Sequence, residues 1–552
     1  MAAQADAAPV TSTTPLSERL RSELGGLDIA KVAFSLAVAA VVAVQSILVY
    51  LGFTKAAVEV DEALFVDVVR SLGSGDGYRM SGQYITGAQD AFAPVISTGP
   101  TLLLPAALVN ALGVEPVLAG RIAALGFYLA LLAAMWLIGR RIGGRWGGLA
   151  AILGPVMLNT FTFDQSPLSA PQAVMGEYTA AALVAWALVV ARRRPGVAGV
   201  LIGFAILAKV VAVFLVPAVL IAIILARLTA TRRTSLRALI RFSAGAAIPI
   251  IVFEVVKLAV VGWSAYVQLV RASWDLTHLP RLVEFMVDEK TSSLWRSWFM
   301  PTPAAMLLAA LALALVTGVV AMRLHVWSAA RLSWRTIASD ERLVMGFSGL
   351  TAGVGILVGW AALKNTDPQW LRHPAPGLVI AAGVVAAILV ALGTALVRWG
   401  GPGRRVGVAV LVITALVLSV TAMRHVDASL QAGRFGYLHD QEELAAIITE
   451  SGTQEVQGVW GPLVPLSVIA DVRAHSILYD ANPDDLLVLD VYPRGQLAEL
   501  GNELADVICG DVIYRGDVIM CWPDADIAAM VTGIAPETDA ATQMEPGTQT
   551  QG

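Results

Sequence analysis

Carboxylates and cations at spacings suited to group transfer sit in three polar stretches of this 552-residue chain, outside its long apolar runs. The first reads Glu59-Val-Asp61-Glu62-Ala-Leu-Phe65-Val-Asp67-Val-Val-Arg70-Ser-Leu72. Leu64, Phe65, Val68, Val69 and Leu72 recur at helical spacing, which predicts an amphipathic helix with Asp61 and Glu62 in its first turn. A carboxylate held just above a bilayer can take the proton of an acceptor hydroxyl, the task of a general base. The second stretch supplies Asp164 and then Val174-Met-Gly176-Glu177-Tyr178, where Glu177 stands at the mouth of an apolar segment. Facing the same pocket as Asp61, it could orient an acceptor or a divalent metal. The third, from Lys364 to Pro376, presents Arg372 and His373 between prolines that restrict the loop. A guanidinium grips phosphate oxygens bidentately. Lys209, at a turn between two short apolar segments, offers a second charge for phosphate.

Hydrophobic residues make up 57% of the chain and charged residues 14%, and the mean hydropathy is +0.70. Soluble domains carry about 25% charged residues, so a single soluble globule is excluded. Runs such as Val32–Leu51 and Leu378–Val397 are long enough to cross about 30 Å of hydrocarbon. The chain is therefore read as an all-α polytopic membrane protein. Its net charge of −4, from 38 basic and 42 acidic residues, lacks the basic surplus that nucleic-acid binding needs. Residues 1–29 form a cytoplasmic tail before the first span, Ala30–Phe53, which lies too late and runs too long for a cleaved signal peptide. Pro100–Leu112 is short for a span and suits an interfacial helix. With it outside the membrane, the arginine clusters at 140–145, 192–194, 227–241, 323–342 and 398–405 all fall in the cytoplasm, as the positive-inside rule requires. About eleven spans follow: 30–53, 117–138, 147–163, 176–191, 196–208, 210–227, 242–262, 303–322, 343–363, 377–397 and 405–423. The first external loop is 54–116, and later ones cover 164–175, 263–302 and 364–376. Almost the only ionisable residues inside the apolar segments are Lys209 and the pair Glu254 and Lys257, whose spacing of three suits a structural ion pair.

Residues 424–530 change character. Strand-like runs (Val456–Trp460, Leu487–Val491, Val507–Val512, Val518–Trp522) alternate with helical patterns (Asp440–Ser451, Gln496–Ala505), which predicts a small extracytoplasmic α/β domain after the transmembrane domain of residues 30–423. Cys509 and Cys521 flank a hairpin turning at Arg515–Gly516, and in an oxidising compartment a disulfide joins them. Residues 531–552 lack periodicity and read as a disordered tail.

The order of these parts resembles the GT-C superfamily of membrane glycosyltransferases, particularly the protein-O-mannosyltransferase and aminoarabinose-transferase-like branch. An Asp-Glu helix followed by RSLGSGDGY comes after the first span. Then come the Pro-bearing STGPTLLLPAALVNALG, the Arg-bearing AGRIAALGFYLALL, MGE before the fourth span, GVLIGFAILAK at the fifth and LRHPAPGL opening a late one. The resemblance covers about residues 30–400. It implies a GT-C fold in the plasma membrane, with sugar transfer from a polyprenyl-phosphate donor to a hydroxyl on a cell-envelope glycan, lipid or protein at the outer face. It also implies Asp61 as catalytic base with Glu62 beside it, Glu177 or Asp164 at the acceptor or metal site, and Arg372, His373 and Lys209 on the donor phosphate. Metal use varies in the superfamily, and a divalent cation such as Mg²⁺ or Mn²⁺ is compatible with it.

Two rival readings share the apolar composition. A lipid-sugar flippase would place ionisable residues near the midplane and show an internal repeat, and the sequence shows few of the former and none of the latter. A non-catalytic scaffold with a glycan- or partner-binding external domain would be indifferent to the loss of Asp61.

Overall fold

The computed structural model describes residues 29–84, 89–158, 171–227, 232–278, 340–363, 372–431, 436–458, 461–477, 482–491 and 498–524. Asp164, the expected span 303–322 and the tail 531–552 lie outside them. Helix α1 (Ile29–Thr54) has 26 residues, about 39 Å at 1.5 Å per residue, enough to cross the hydrocarbon. On the polar side follow α2 (Val60–Ser74) and α3 (Pro100–Ala111). Gly75 ends α2 in the left-handed region at φ 90°, where glycine alone pays no Cβ penalty. The 12 residues of α3 reach only about 18 Å.

Helix α4 (Pro116–Ile152) is helical on both sides of Gly143 and Gly144, which are not. A Cβ on Gly139 would lie 2.4 Å from the carbonyl oxygen of Gly147. Eight residues of straight helix would separate those positions by about 12 Å, so α4 is a tight helical hairpin. Then come α5 (Glu177–Ala191), α6 (Pro195–Ala208), a 3₁₀ turn (Val210–Leu215) and α7 (Val216–Leu225). Helix α8 (Arg232–His278) breaks at Gly262, so the external loop expected from residue 263 is helical as far as His278. The bundle closes with α9 (Glu341–Ala362), α10 (Ala375–Trp399) and α11 (Gly401–Leu430).

Among the described residues, six helices are long and apolar enough to cross a membrane, and four more are apolar but shorter. The chain is a multi-pass membrane protein, but the expected eleven spans are not reproduced one for one. The region expected to hold two spans at 117–138 and 147–163 is the α4 hairpin. The expected spans at 176–191, 196–208 and 210–227 are short helices; α5 and α6 are packed within the bundle, where the large buried core lies. Helices enclosed by protein need not match the hydrocarbon thickness themselves. By contrast α8 lines up Ile251, Val252, Val255 and Val256 on an exposed apolar face, which suits lipid. Glu254 and Lys257 on the same helix pair at 2.7 Å.

After α11 the chain forms a small mixed sheet flanked by helices: α12 (Leu438–Glu450), β1 (Glu455–Gly458), α13 (Leu463–Ile469), β2 (Arg473–Ser476), β3 (Leu486–Asp490), α14 (Ala498–Ile508), β4 (Cys509–Arg515) and β5 (Val518–Pro523). The strand order is β2-β1-β3-β5-β4, with β1 parallel to both neighbours and β5 antiparallel to both of its own. A disulfide joins Cys509 to Cys521, their Cα atoms 5.6 Å apart. One apolar core runs from α2 and α3 into α12, α13 and the sheet, so the domain is seated on the first polar loop. Gln441 seals the seam, accepting from the Val58 N–H at 2.7 Å and donating to its carbonyl at 3.0 Å. Arg70 adds a bond to Asp471 at 3.0 Å.

Candidate active site

The first turn of α2 sends its two carboxylates to different places, because consecutive helical residues point about 100° apart. Glu62 turns inward and is 1% exposed. Arg121, on α4, meets it with Nε to Oε1 at 3.0 Å and Nη2 to Oε2 at 3.2 Å. The same guanidinium donates to the carbonyls of Gly52 at 2.9 Å, Ala56 at 3.0 Å and Ala57 at 3.3 Å, all at or just beyond the C-terminal end of α1. Glu62 Oε1 also accepts from the Val174 N–H at 3.4 Å. One buried pair thus ties α1, α2, α4 and the segment before α5 together. Arg121 stands outside the predicted site residues; the signal available for it is an arginine inside an apolar helix, which demands a buried partner.

Asp61 faces outward and forms an ion pair with Arg372, which stands at the threshold of α10. The Asp61 side chain is 33% exposed and that of Arg372 10%. His373 follows Arg372 in the turn before α10 and is half-buried. Behind this pair lies a second one. Lys209 Nζ is 3.3 Å from Glu177 Oε1, with side-chain exposures of 5% and 2%, and within electrostatic reach of both Asp61 and Arg372. It also donates to the Met175 carbonyl at 3.1 Å and to Ser97 Oγ and Thr98 Oγ1 at 3.4 Å. The Phe65 ring, one turn along α2 from Asp61, lies 5.3 Å from Nζ.

Local backbone explains why Lys209 is where it is. It is the extended residue (φ −155°, ψ 119°) between α6 and the 3₁₀ turn, and it bridges to Thr98 in antiparallel fashion. Gly99 backs onto this break so closely that a Cβ there would come 1.6 Å from the Leu207 carbonyl oxygen. Gly176, at φ 82°, starts α5 from the left-handed region and places Glu177 in its first turn. Asp61, Arg372, Lys209 and Glu177, drawn from four distant stretches, therefore converge. Two carboxylates stand against two cations, so the described residues here offer a divalent ion no surplus negative charge. The arrangement holds a carboxylate that is one-third exposed beside a guanidinium, above a buried ammonium: groups able to take a proton and to hold an anion.

Asp67, in the middle of α2, is fully buried. It accepts from Arg70 at 2.7 Å, Ser81 Oγ at 2.6 Å and the N–H groups of Ser81 and Gly82 at 2.8 and 3.2 Å. It fixes the chain leaving α2 and is not part of the cluster.

Neither a protein-family model nor a curated protein sequence matches this chain. Among solved structures, ArnT from Cupriavidus metallidurans in the apo state superposes with a TM-score of 0.54 at 14% identity, covering 90% of this chain and 98% of that one. ArnT bound to undecaprenyl phosphate gives a TM-score of 0.55 at 14% identity, over 91% and 99%. ArnT is a GT-C aminoarabinose transferase. At this identity the likeness speaks for the fold alone, over nearly the whole of both chains: the present chain has the GT-C fold seen in ArnT, with a small sheet domain at its C-terminal end.

Proposed function

We propose that this protein is a glycosyltransferase that moves one sugar from a polyprenyl-phosphate donor to an acceptor hydroxyl at the extracytoplasmic face of the plasma membrane, with Asp61 as general base. The observation that carries this reading is the Asp61–Arg372 ion pair, poised above Lys209. In the step itself the acceptor oxygen bonds to the anomeric carbon, the bond from that carbon to the phosphate oxygen breaks, and the electron pair leaves with polyprenyl phosphate. The acceptor proton passes to Asp61. A donor phosphate competes with Asp61 for the Arg372 guanidinium. Donor binding therefore frees the carboxylate at the moment it is needed. Lys209 and Glu177 are too buried to touch an acceptor as they stand. Lys209 acts through its field, stabilising the departing phosphate, and Glu177 holds Lys209 in place. Glu62 belongs to the framework through Arg121. The likeness in fold to ArnT, one of whose structures is bound to undecaprenyl phosphate, supports the donor class. The arginine clusters support an N-terminus in the cytoplasm and a sheet domain outside.

The test is transfer by the full-length protein in lipid nanodiscs, offered a panel of polyprenyl-monophosphate sugars and membrane-extract acceptors, with and without divalent cation. The expected result is turnover of one donor that is lost in Asp61→Asn and weakened in Arg372→Ala. Turnover that persists unchanged in Asp61→Asn would overturn the base assignment, and no turnover of any donor would overturn the transferase.

A further inference from the structure

The C-terminal sheet carries a second group of ligand-type side chains, well removed in sequence from the Asp61 cluster. The parallel register sets Gln457 beside His475 and Glu455 beside Arg473, so all four project from one face of β1 and β2. Asp485 reaches them from the turn ahead of β3. One ligand atom from each of Glu455, His475 and Asp485 lies within 4.8 Å of the other two. His475 Nε2 is buried with no hydrogen-bond partner and stands 3.6 Å from Asp485 Oδ2. Burial pushes the Asp485 carboxyl above the ordinary aspartate range, and Glu455 and Asp484 add to the rise against Asn482 and His475. The three side chains line a cavity of about 290 Å³ whose other walls include Ser81, Gln83 and Gln89.

We propose that Glu455, His475 and Asp485 bind a divalent transition-metal ion of the zinc type, with one coordination position open toward this cavity. One imidazole with two carboxylates is a zinc-class donor set, whereas magnesium and calcium prefer oxygen alone. Tetrahedral bonds of about 2.0–2.1 Å place ligand atoms about 3.3 Å apart, so a small contraction closes the cluster. Glu455 is free to make it: its contact with Arg473, at 3.4 Å, joins two exposed side chains. Asp485 is already oriented. Buried Gln457 donates to the carbonyls of Asn482 and Asp485 and accepts from the Asn482 N–H at 3.0 Å, and Asn482 Nδ2 donates to Asp485 Oδ2 at 2.9 Å. Outer partners of this kind set ligand geometry in metal sites.

Metal here joins β1, β2 and the turn before β3, and its effect reaches further. Gln83 pairs with β2 at His475, its N–H donating to the Ala474 carbonyl at 2.8 Å and its carbonyl accepting from the Ser476 N–H at 3.1 Å. The loop after α2 is thereby pinned to the strand that carries the metal ligand, and the ion clamps the domain to the base-bearing helix. The test uses the full-length protein in detergent, stripped with chelator and titrated with Zn²⁺ by calorimetry and metal analysis. We expect about one ion per chain and a rise in the thermal midpoint on binding. In His475→Ala and Asp485→Asn the affinity should fall by more than the roughly 10–100-fold that loss of an outer partner costs, while Asp61→Asn binds as wild type does. Co²⁺ in place of Zn²⁺ should show d–d bands without thiolate charge transfer, a readout on the wild type that stands even if a variant fails to fold. Binding well below one ion per chain, or binding that survives both variants or vanishes in Asp61→Asn, would overturn the site.

Discussion

Around Glu62 every charge is buried and answered, with both its oxygens and all three nitrogens of Arg121 engaged. Around Asp61, one residue away, exposure grades from 33% at the aspartate through 10% at Arg372 to 5% at Lys209. The first arrangement has no capacity left for a ligand, and the second opens onto the polar side of the bundle. Two neighbouring carboxylates of similar chemistry thus divide framework from chemistry by the direction each leaves the helix.

Neutralising each in turn tests that division, and the largest effect should come from Asp61→Asn. Removing a positioned general base costs about 10²–10⁴ in turnover, while Asp61 is one-third exposed, so its loss leaves Arg372 closer to water than the loss of Glu62 leaves Arg121. The expected outcome is near-complete loss of sugar transfer with a smaller fall in the thermal midpoint than Glu62→Gln causes. Glu62→Gln should do the reverse. It leaves Arg121 charged and buried, and breaking such a pair costs about 3–5 kcal/mol, so the thermal midpoint and the yield of monodisperse protein should fall sharply. If both variants lose activity with stability intact, the two carboxylates share one role and the division is wrong.

Sequence periodicity made α2 legible, along with Asp61 and Glu62 in its first turn, but not which of the two faces inward. That depends on Arg121, some sixty residues on, whose place in an apolar segment demands a buried partner without saying which carboxylate it is. The break at Lys209 was legible because a lone lysine between apolar runs has to leave the hydrocarbon. The pairing of Lys209 with Glu177 was not, since it requires the close approach at Gly99 and Gly176. Strands β3 and β5 fall on the apolar runs expected at Leu487–Val491 and Val518–Trp522, and β1 overlaps the run from Val456, but the run expected from Val507 is split: Val507 and Ile508 end α14 and β4 starts at Cys509. Strand β2, Arg-Ala-His-Ser, carries no such signal, because its register is set by the parallel neighbour and by Gln83.

A milder substitution sharpens the role of Arg372. Arg372→Lys keeps the positive charge next to Asp61 but loses the planar fork that matches phosphate. Losing one charge-assisted hydrogen bond is worth about 1.5–3 kcal/mol, so KM for the donor should rise by about tenfold or more with kcat less affected. An equal fall in kcat and unchanged KM would assign the guanidinium to the transition state rather than to donor binding.

The smallest expected effect lies in the sheet domain, where Asp485 offers a carboxylate unlike either of the α2 pair: buried, and disfavoured as an anion. Its carboxyl is raised above 3.8 in the fold, chiefly by burial. Between that ordinary value and the raised one, the folded state therefore binds more protons than the unfolded chain. Stability from this group is fully present below the ordinary value and is lost as pH rises through the folded one. In metal-free protein, Asp485→Asn should remove that loss, so the difference in thermal midpoint between variant and wild type should grow in the variant's favour as pH rises from about 4. Added Zn²⁺ should reverse the order, because the ion stabilises the anion that burial disfavours and the asparagine cannot supply. A difference that stays flat across pH, with and without zinc, would mean that the Asp485 charge is already balanced by His475 and Asn482.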